Sequence, residues 1–211
     1  MPKFVDAALR RQEVVEAVFR IVAADGLERA SLREVADEAE LAVGSVRHYF
    51  ASSDELLAHS FGVVVDRIVD RLAAADDRLA EVQPGTPEHR ESVLTLLGEF
   101  LPLDDERAID ACVWMAFKNA ARTKPFLAAE ADRSHRAVAA IVGRLVMDLS
   151  SAGTDVTMDQ QRLVTEAERL LATLDGLTMH ALLQPEWMTA QMCNDVLESH
   201  LAGLGSYAGS H

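Results

Sequence analysis

Cysteine is nearly missing. Cys112 and Cys193 are the only two in 211 residues, far apart and without a metal-like spacing. That excludes a disulfide framework and a cysteine-built zinc site, and leaves two buried free thiols as the expectation. Aromatic residues make up only 5%, while Ala, Leu, Val and Arg abound, which favours helices over a β-sandwich or barrel. Nothing alternates with period two for long enough to make a strand. No stretch approaches the roughly 20 apolar residues that span a bilayer. The opening Met1-Pro2-Lys3-Phe4-Val5-Asp6 lacks the apolar core of a signal peptide, so a cytoplasmic location is expected. The seven histidines form no HExxH or comparable set, and Gly209-Ser210-His211 adds no chemistry. Neither a metal site nor a cofactor is expected. No Gly-x-Ser-x-Gly or similar catalytic setting occurs, so the chain does not read as an enzyme.

Positive charge is also short, at 20 Lys+Arg against 34 Asp+Glu, which at first argues against nucleic acid. The deficit is uneven. Residues 1–50 hold seven basic and nine acidic side chains, a balance of 7 − 9 = −2. Residues 51–211 hold the remaining thirteen and twenty-five, a balance of −12. An acidic body behind a near-neutral head would repel phosphate everywhere except where the head presents local positive charge.

What the chain does have is apolar residues, 49%, enough for a real core, spaced for helices. Val14, Val18 and Val22 repeat every four residues over about 8–25, and Gly26 supplies a stop. Ser31-Leu32-Arg33-Glu34 reads as a reciprocal capping box. A short helix follows, then Glu40-Leu41-Ala42, then a second short helix over about 43–49. Ser52-Ser53-Asp54-Glu55 opens a long helix to about Glu81, and Pro87 suits the first position of the next, which should end near Pro102. Further helices are expected over about 104–122, 126–152, to Leu183 from a cap at Thr157-Met158-Asp159-Gln160, and 187–201. Ser151-Ala152-Gly153-Thr154-Asp155 is read as a break. The fold class is all-α, about nine helices: a three-helix head over 1–54 and a larger body over 55–211.

Residues 31–50 form the informative unit. Two short amphipathic helices joined by three residues have the spacing of a helix-turn-helix, whose second helix enters the major groove. Its exposed side would be Ala42, Val43, Gly44, Ser45, Arg47, His48 and Tyr49. Small residues at its start allow close approach to base edges, and Arg47 could meet guanine or phosphate. Ser31 and Arg33 at the first short helix are placed for phosphate; Ser53 at the long one is a further DNA-binding candidate. Lys3, Arg10 and Arg11 could form a basic arm.

With Gly26, Ser31-Leu32, Val35-Ala36, Leu41, Gly44-Ser45-Val46, Tyr49-Phe50 and Glu55-Leu56-Leu57 in this register, the chain resembles the tetracycline-repressor (TetR) family. Leu174-Asp175-Gly176-Leu177, His180, Pro185 and His200-Leu201 resemble the body of BetI-like members. The resemblance implies a DNA-reading head on a ligand-binding, dimerising helical body. Against the family pattern, Glu40 stands where Gly is usual, Arg47 where Tyr is common and Ser53 where Lys is usual.

In the body, Phe61, Val65, Phe100, Trp114, Phe117, Met147 and Met179 are candidates to line a pocket, with Lys118, Asn119 and His180 as polar groups. Plain core packing is the competing reading of the same residues. Asp104-Asp105-Glu106 reads as a capped helix start, and Asp66, Arg67, Asp70 and Arg71 as surface ion pairs of little worth. The broad apolar faces of the last two helices, including Leu163, Leu170, Leu174, Leu177, Met192 and Val196, suit a four-helix dimer interface. The expected function is a homodimeric repressor on a palindromic double-stranded operator, released by an apolar or amphipathic small molecule. An activator, a regulator without effector, and a helical interaction protein with an unused head are the alternatives.

Overall fold

The computed structural model describes residues 7–151 and 159–206. Lys3, the 152–155 part of the expected break, Thr157 and Met158 of the expected cap, and Gly209-Ser210-His211 lie outside them. Among the described residues there are nine α-helices and no strand: α1 (Ala7–Asp25), α2 (Leu32–Glu38), α3 (Val43–Tyr49), α4 (Ser53–Ala80), α5 (Pro87–Gly98), α6 (Asp105–Ala121), α7 (Ala128–Ser151), α8 (Gln160–Leu183) and α9 (Ala190–Ser206). Two 3₁₀ turns, Leu27–Arg29 and Pro125–Leu127, complete the described elements. No helix among the described residues is long and apolar enough to cross a membrane.

Most helix ends follow from local chemistry. Gly26 adopts φ 86° after α1, a backbone state that costs other residues. Ser31 caps α2, its hydroxyl accepting from the Glu34 amide at 3.2 Å. The expected box is only half made: the Glu34 carboxylate turns to Arg29 at 3.6 Å, and the Ser31 amide donates to the Arg29 carbonyl. Ser52 and Glu55 cap α4, Ser52 accepting from the Glu55 amide and the Glu55 carboxylate accepting from the Ala51 amide. Thr86 caps α5 with Pro87 in its first turn, Asp104 caps α6, and Asp159 caps α8.

Some ends differ from expectation, with α9 running to Ser206 rather than 201. α5 stops at Gly98, leaving Phe100 in a turn. α9 begins at Ala190 rather than near Trp187, because Thr189 is its cap, accepting from the Met192 amide.

The chain divides into two compact units. The first comprises residues 7–67 and 109–133 of those described. Its core joins Val14, Val18, Phe19 and Val22 of α1 to Val35, Val46, Phe50, Phe61 and Phe117, all buried. The second comprises residues 68–108 and 134–206. Its interior gathers Leu72, Leu96, Leu97, Val142, Val146, Leu170, Leu174 and Leu197, the inward stripes of amphipathic helices at 3.6-residue spacing.

Candidate functional site

The head is built on a tight turn. Glu40 sits at φ 54°, in the left-handed region. The Leu41 amide reaches back to the Ala36 carbonyl at 2.8 Å, and the Glu40 amide to that of Asp37 at 3.2 Å. This is the paired closure that ends a helix and reverses the chain, and it sets α3 immediately after α2. Val46 and Phe50, both fully buried, anchor α3 by one side. The opposite side is open: Ala42, Gly44, Ser45, Arg47 and His48 are exposed, with Val43 and Tyr49 half-buried. His48 and Tyr49 meet edge to face, centroids 5.3 Å apart.

Gly44 is informative because a Cβ built there would meet nothing within 4 Å. Packing inside the chain therefore does not require glycine at this position. Ser31 and Arg33 are exposed at the start of α2, and Ser53 is half-buried at the start of α4.

The arginines of the head sort into two groups. Arg10 pairs with Glu13, Arg20 with Glu38 and Arg29 with Glu34. Arg33 and Arg47 make no ion pair among the described residues. A guanidinium left free of internal carboxylates keeps its full capacity for phosphate or guanine. Arg10 and Arg11 lie within α1 rather than in an extended arm, and Arg11 covers the Phe50 ring at 4.8 Å. Sequence reasoning missed the neighbour on the other side: His59 of α4 lies 5.4 Å from that ring. Burial, with the Arg11 charge second, holds its imidazole below the ordinary histidine value.

The expected pocket residues fall in both compact units. In the first unit, Phe61 and Phe117 stack with centroids 5.1 Å apart, beside buried Val65. Trp114 is half-buried, and the ammonium of exposed Lys118 sits 4.2 Å above its ring. Phe100, Met147, Met179 and His180 belong to the second unit. There Met147 is 48% and Met179 41% exposed, and His180 is exposed, so these three line no enclosed cavity. They fall just off the buried stripes, Val142-Leu145-Val146 on α7 and Leu174-Leu177-Thr178-Ala181 on α8. Composition marks a residue as pocket-capable, but phase on the helix decides. The second unit holds an open apolar cleft of about 520 Å³ whose lining includes Val93, Leu149 and Leu201; none of its lining was expected. Buried Thr178, also missed, donates to the Phe100 carbonyl at 3.1 Å.

The expected dimer residues need a similar correction. Leu170, Leu174 and Leu177 are at most 5% exposed and pack inside their own unit, so they face no partner. Leu163 and Val196 are half-buried. The outward apolar residues of this unit include Val164, Met179, Leu183, Trp187 and Met192, with Leu183 and Trp187 each 71% exposed. A wide stripe in sequence shows excess apolar surface without showing which half is excess.

The expected surface pairs of α4 also change. Arg67 reaches Glu16 and Asp110, Asp66 reaches Arg133, and Arg71 reaches Glu99. Those of Arg67 and Asp66 join residues on different helices, and that of Arg71 reaches the turn after α5.

An all-helical chain with a capped helix-turn-helix and an open reading face is a DNA-binding protein by architecture, and comparison with known proteins agrees. Residues 14–59 match the family model of bacterial regulatory proteins of the tetR family. Residues 89–206 match that of the BetI-type transcriptional repressor C-terminal region. The HTH-type transcriptional regulator PksA of Bacillus subtilis (strain 168) is 33% identical over 97% of this chain and 94% of its own length. A transcriptional regulator from Rhodococcus sp. RHA1 superposes with a TM-score of 0.75 at 29% identity, covering 95% of this chain and 98% of its own. The multidrug binding protein EbrR, solved with imidazole, superposes with a TM-score of 0.60 at 26% identity over 90% of this chain and 94% of its own.

The chain belongs to the TetR family of transcriptional regulators, with a C-terminal region of BetI type. It is a regulator of transcription and not an enzyme.

Proposed function

We propose that the chain is a homodimeric repressor whose two α3 helices enter successive major grooves of a palindromic operator, and that a small apolar or amphipathic molecule releases it. The head over residues 1–54 reads DNA, and residues 55–211 serve ligand and partner. Transcriptional regulation places it in the cytoplasm, with the DNA. The observation that carries the reading is the unobstructed start of α3 at Gly44-Ser45, with exposed Arg47 on the same helix and exposed Arg33 on α2, neither in an ion pair among the described residues. Small residues let the backbone approach base edges, while the two guanidiniums fix register on phosphate or guanine.

The ligand half of the proposal draws on the aromatic group Phe61, Trp114 and Phe117 with Val65 and Lys118, and on the imidazole-bound EbrR relative. The dimer half draws on Val164, Met179, Leu183, Trp187 and Met192, the exposed large apolar side chains of α8, α9 and the turn between them. Release requires that the ligand bind one head separation more tightly than the other.

The test is in vitro selection of duplex DNA with the full chain, followed by titration of the selected duplex. Wild type enriches a two-fold-symmetric sequence. Arg47→Ala weakens binding by ten- to a hundredfold, the range of about 1–3 kcal/mol for one lost contact, with the thermal midpoint unchanged. Absence of any enriched sequence overturns the proposal.

A further inference from the structure

Asp110 is a carboxylate at 1% exposure on α6. A charge taken that far out of water requires a counter-charge. Arg67 of α4 supplies one, its Nη1 lying 3.5 Å from Asp110 Oδ1. The same guanidinium pairs with Glu16 on α1 and lies 4.8 Å from the centroid of the Phe19 ring. One planar guanidinium thus donates to Glu16, lies within ion-pair distance of Asp110 and covers a ring face, a combination that an ammonium serves less well. Two further links join the same stretches of chain. The Cys112 thiol of α6 points at the Ala23 carbonyl of α1 at 3.9 Å, and Lys124 pairs with Glu28 at 3.2 Å. Residues 109–133 accordingly fall in one compact unit with the head.

We infer that Arg67 is a positioning residue for DNA binding: through Glu16 and Phe19 on one side and Asp110 on the other, it fixes the orientation of the head against α6. This rests on the dimeric-regulator reading and specifies how it is controlled. Asp110 shares its buried stripe on α6 with Val113 and Phe117. Phe117 is seven residues on, about 10 Å of helix rise. A molecule bound against Phe61, Trp114 and Phe117 therefore presses on the helix that holds the clamp, and a turn of α6 reaches α1 through one side chain. The head's freedom to reorient then depends on Glu16, Arg67 and Asp110.

A loosened head should misjudge the separation of two half-sites before it loses affinity for DNA in general. One base pair added or removed between half-sites rotates one of them by about 35° about the duplex. The experiment titrates full-length wild type, Glu16→Gln and Asp110→Asn against the selected duplex, against versions with one base pair inserted or deleted at the centre, and against a random duplex. Wild type prefers the selected spacing by more than tenfold. Both variants lose about tenfold on it, discriminate spacings by less than about threefold, and bind the random duplex as wild type does; these fold-changes correspond to about one charge-assisted contact.

Retention of wild-type spacing discrimination by either folded variant overturns the inference. Should Asp110→Asn fail to fold, the half-exposed Glu16→Gln decides alone. A wild type that selects no sequence overturns the regulator reading and the clamp with it. A wild type that selects a sequence, with variants indistinguishable from it, overturns the clamp alone.

Discussion

Two residues of the head occupy backbone or space that nothing else in the chain demands, and they differ in what changing them does. Glu40, at φ 54°, carries a side chain in a conformation that costs an L-residue about 1–2 kcal/mol. Part of that is offset because glycine would make the unfolded chain more flexible. Glu40→Gly should therefore raise stability by about 0.5–1 kcal/mol in denaturant titration while leaving operator affinity within twofold. Gly44 is the opposite case. With no neighbour within 4 Å of its Cβ position and a place in the first turn of α3, Gly44→Ala should stabilise the fold by roughly 0.5 kcal/mol. The added methyl projects from the reading face, so affinity for the selected duplex should drop at least fivefold in the same preparation. Equal or tighter binding would remove Gly44 from the interface. The two substitutions separate a fold requirement from a DNA requirement.

Between α8 and α9 a histidine has its protonation state set by geometry. The Thr173 hydroxyl lies 2.9 Å from the Arg169 carbonyl and 3.2 Å from Nδ1 of His200, so donation to the carbonyl pairs with the Nδ1–H tautomer. Nε2 of His200 is buried with no hydrogen-bond partner and holds no proton in the neutral ring. Burial, and after it the Arg169 charge, hold this imidazole below its ordinary value of 6.5, against an opposing pull from Glu166. His59 is lowered too.

The sign follows from proton counting. Below 6.5 the unfolded chain holds more protons at these sites than the folded one, so stability falls with pH until the folded values are passed. The thermal midpoint should drop between pH 7.5 and pH 5. His59→Gln with His200→Gln should reduce that drop, and an undiminished drop would assign it elsewhere.

Punctuation made the helices legible before their packing was known. Gly26, Ser31, Pro87, Asp159 and Pro185 act within a turn of themselves, and local chemistry is what a sequence records. The exposed side of α3 was legible for the same reason, since its small residues and Arg47 lie within one short helix. Met147, His180 and Leu170 were misassigned because exposure depends on which neighbour each stripe meets. Asp110 had a readable signal, an acid in phase with Val113 and Phe117, but its partner lies forty-three positions away at Arg67.

For the molecule as a whole, the outward apolar residues of the second unit and the uneven charge are the features that matter. If Leu183 and Trp187 meet a second copy, Leu183→Glu places a charge in that contact. Sedimentation should then give the mass of one chain rather than two, with the thermal midpoint lowered only by loss of the partner. A variant that remains a dimer moves the interface away from this end of α8.

The near-neutral head also governs how this regulator responds to salt. Binding strength on a duplex declines with salt in proportion to the phosphates a protein neutralises, about −0.9 in slope for each. A head in which few arginines are free of ion pairs, backed by a body of −12 over residues 51–211, should displace few counterions. Its affinity for unrelated duplex should therefore be weak, and titration of the selected duplex at rising salt should give a shallow slope.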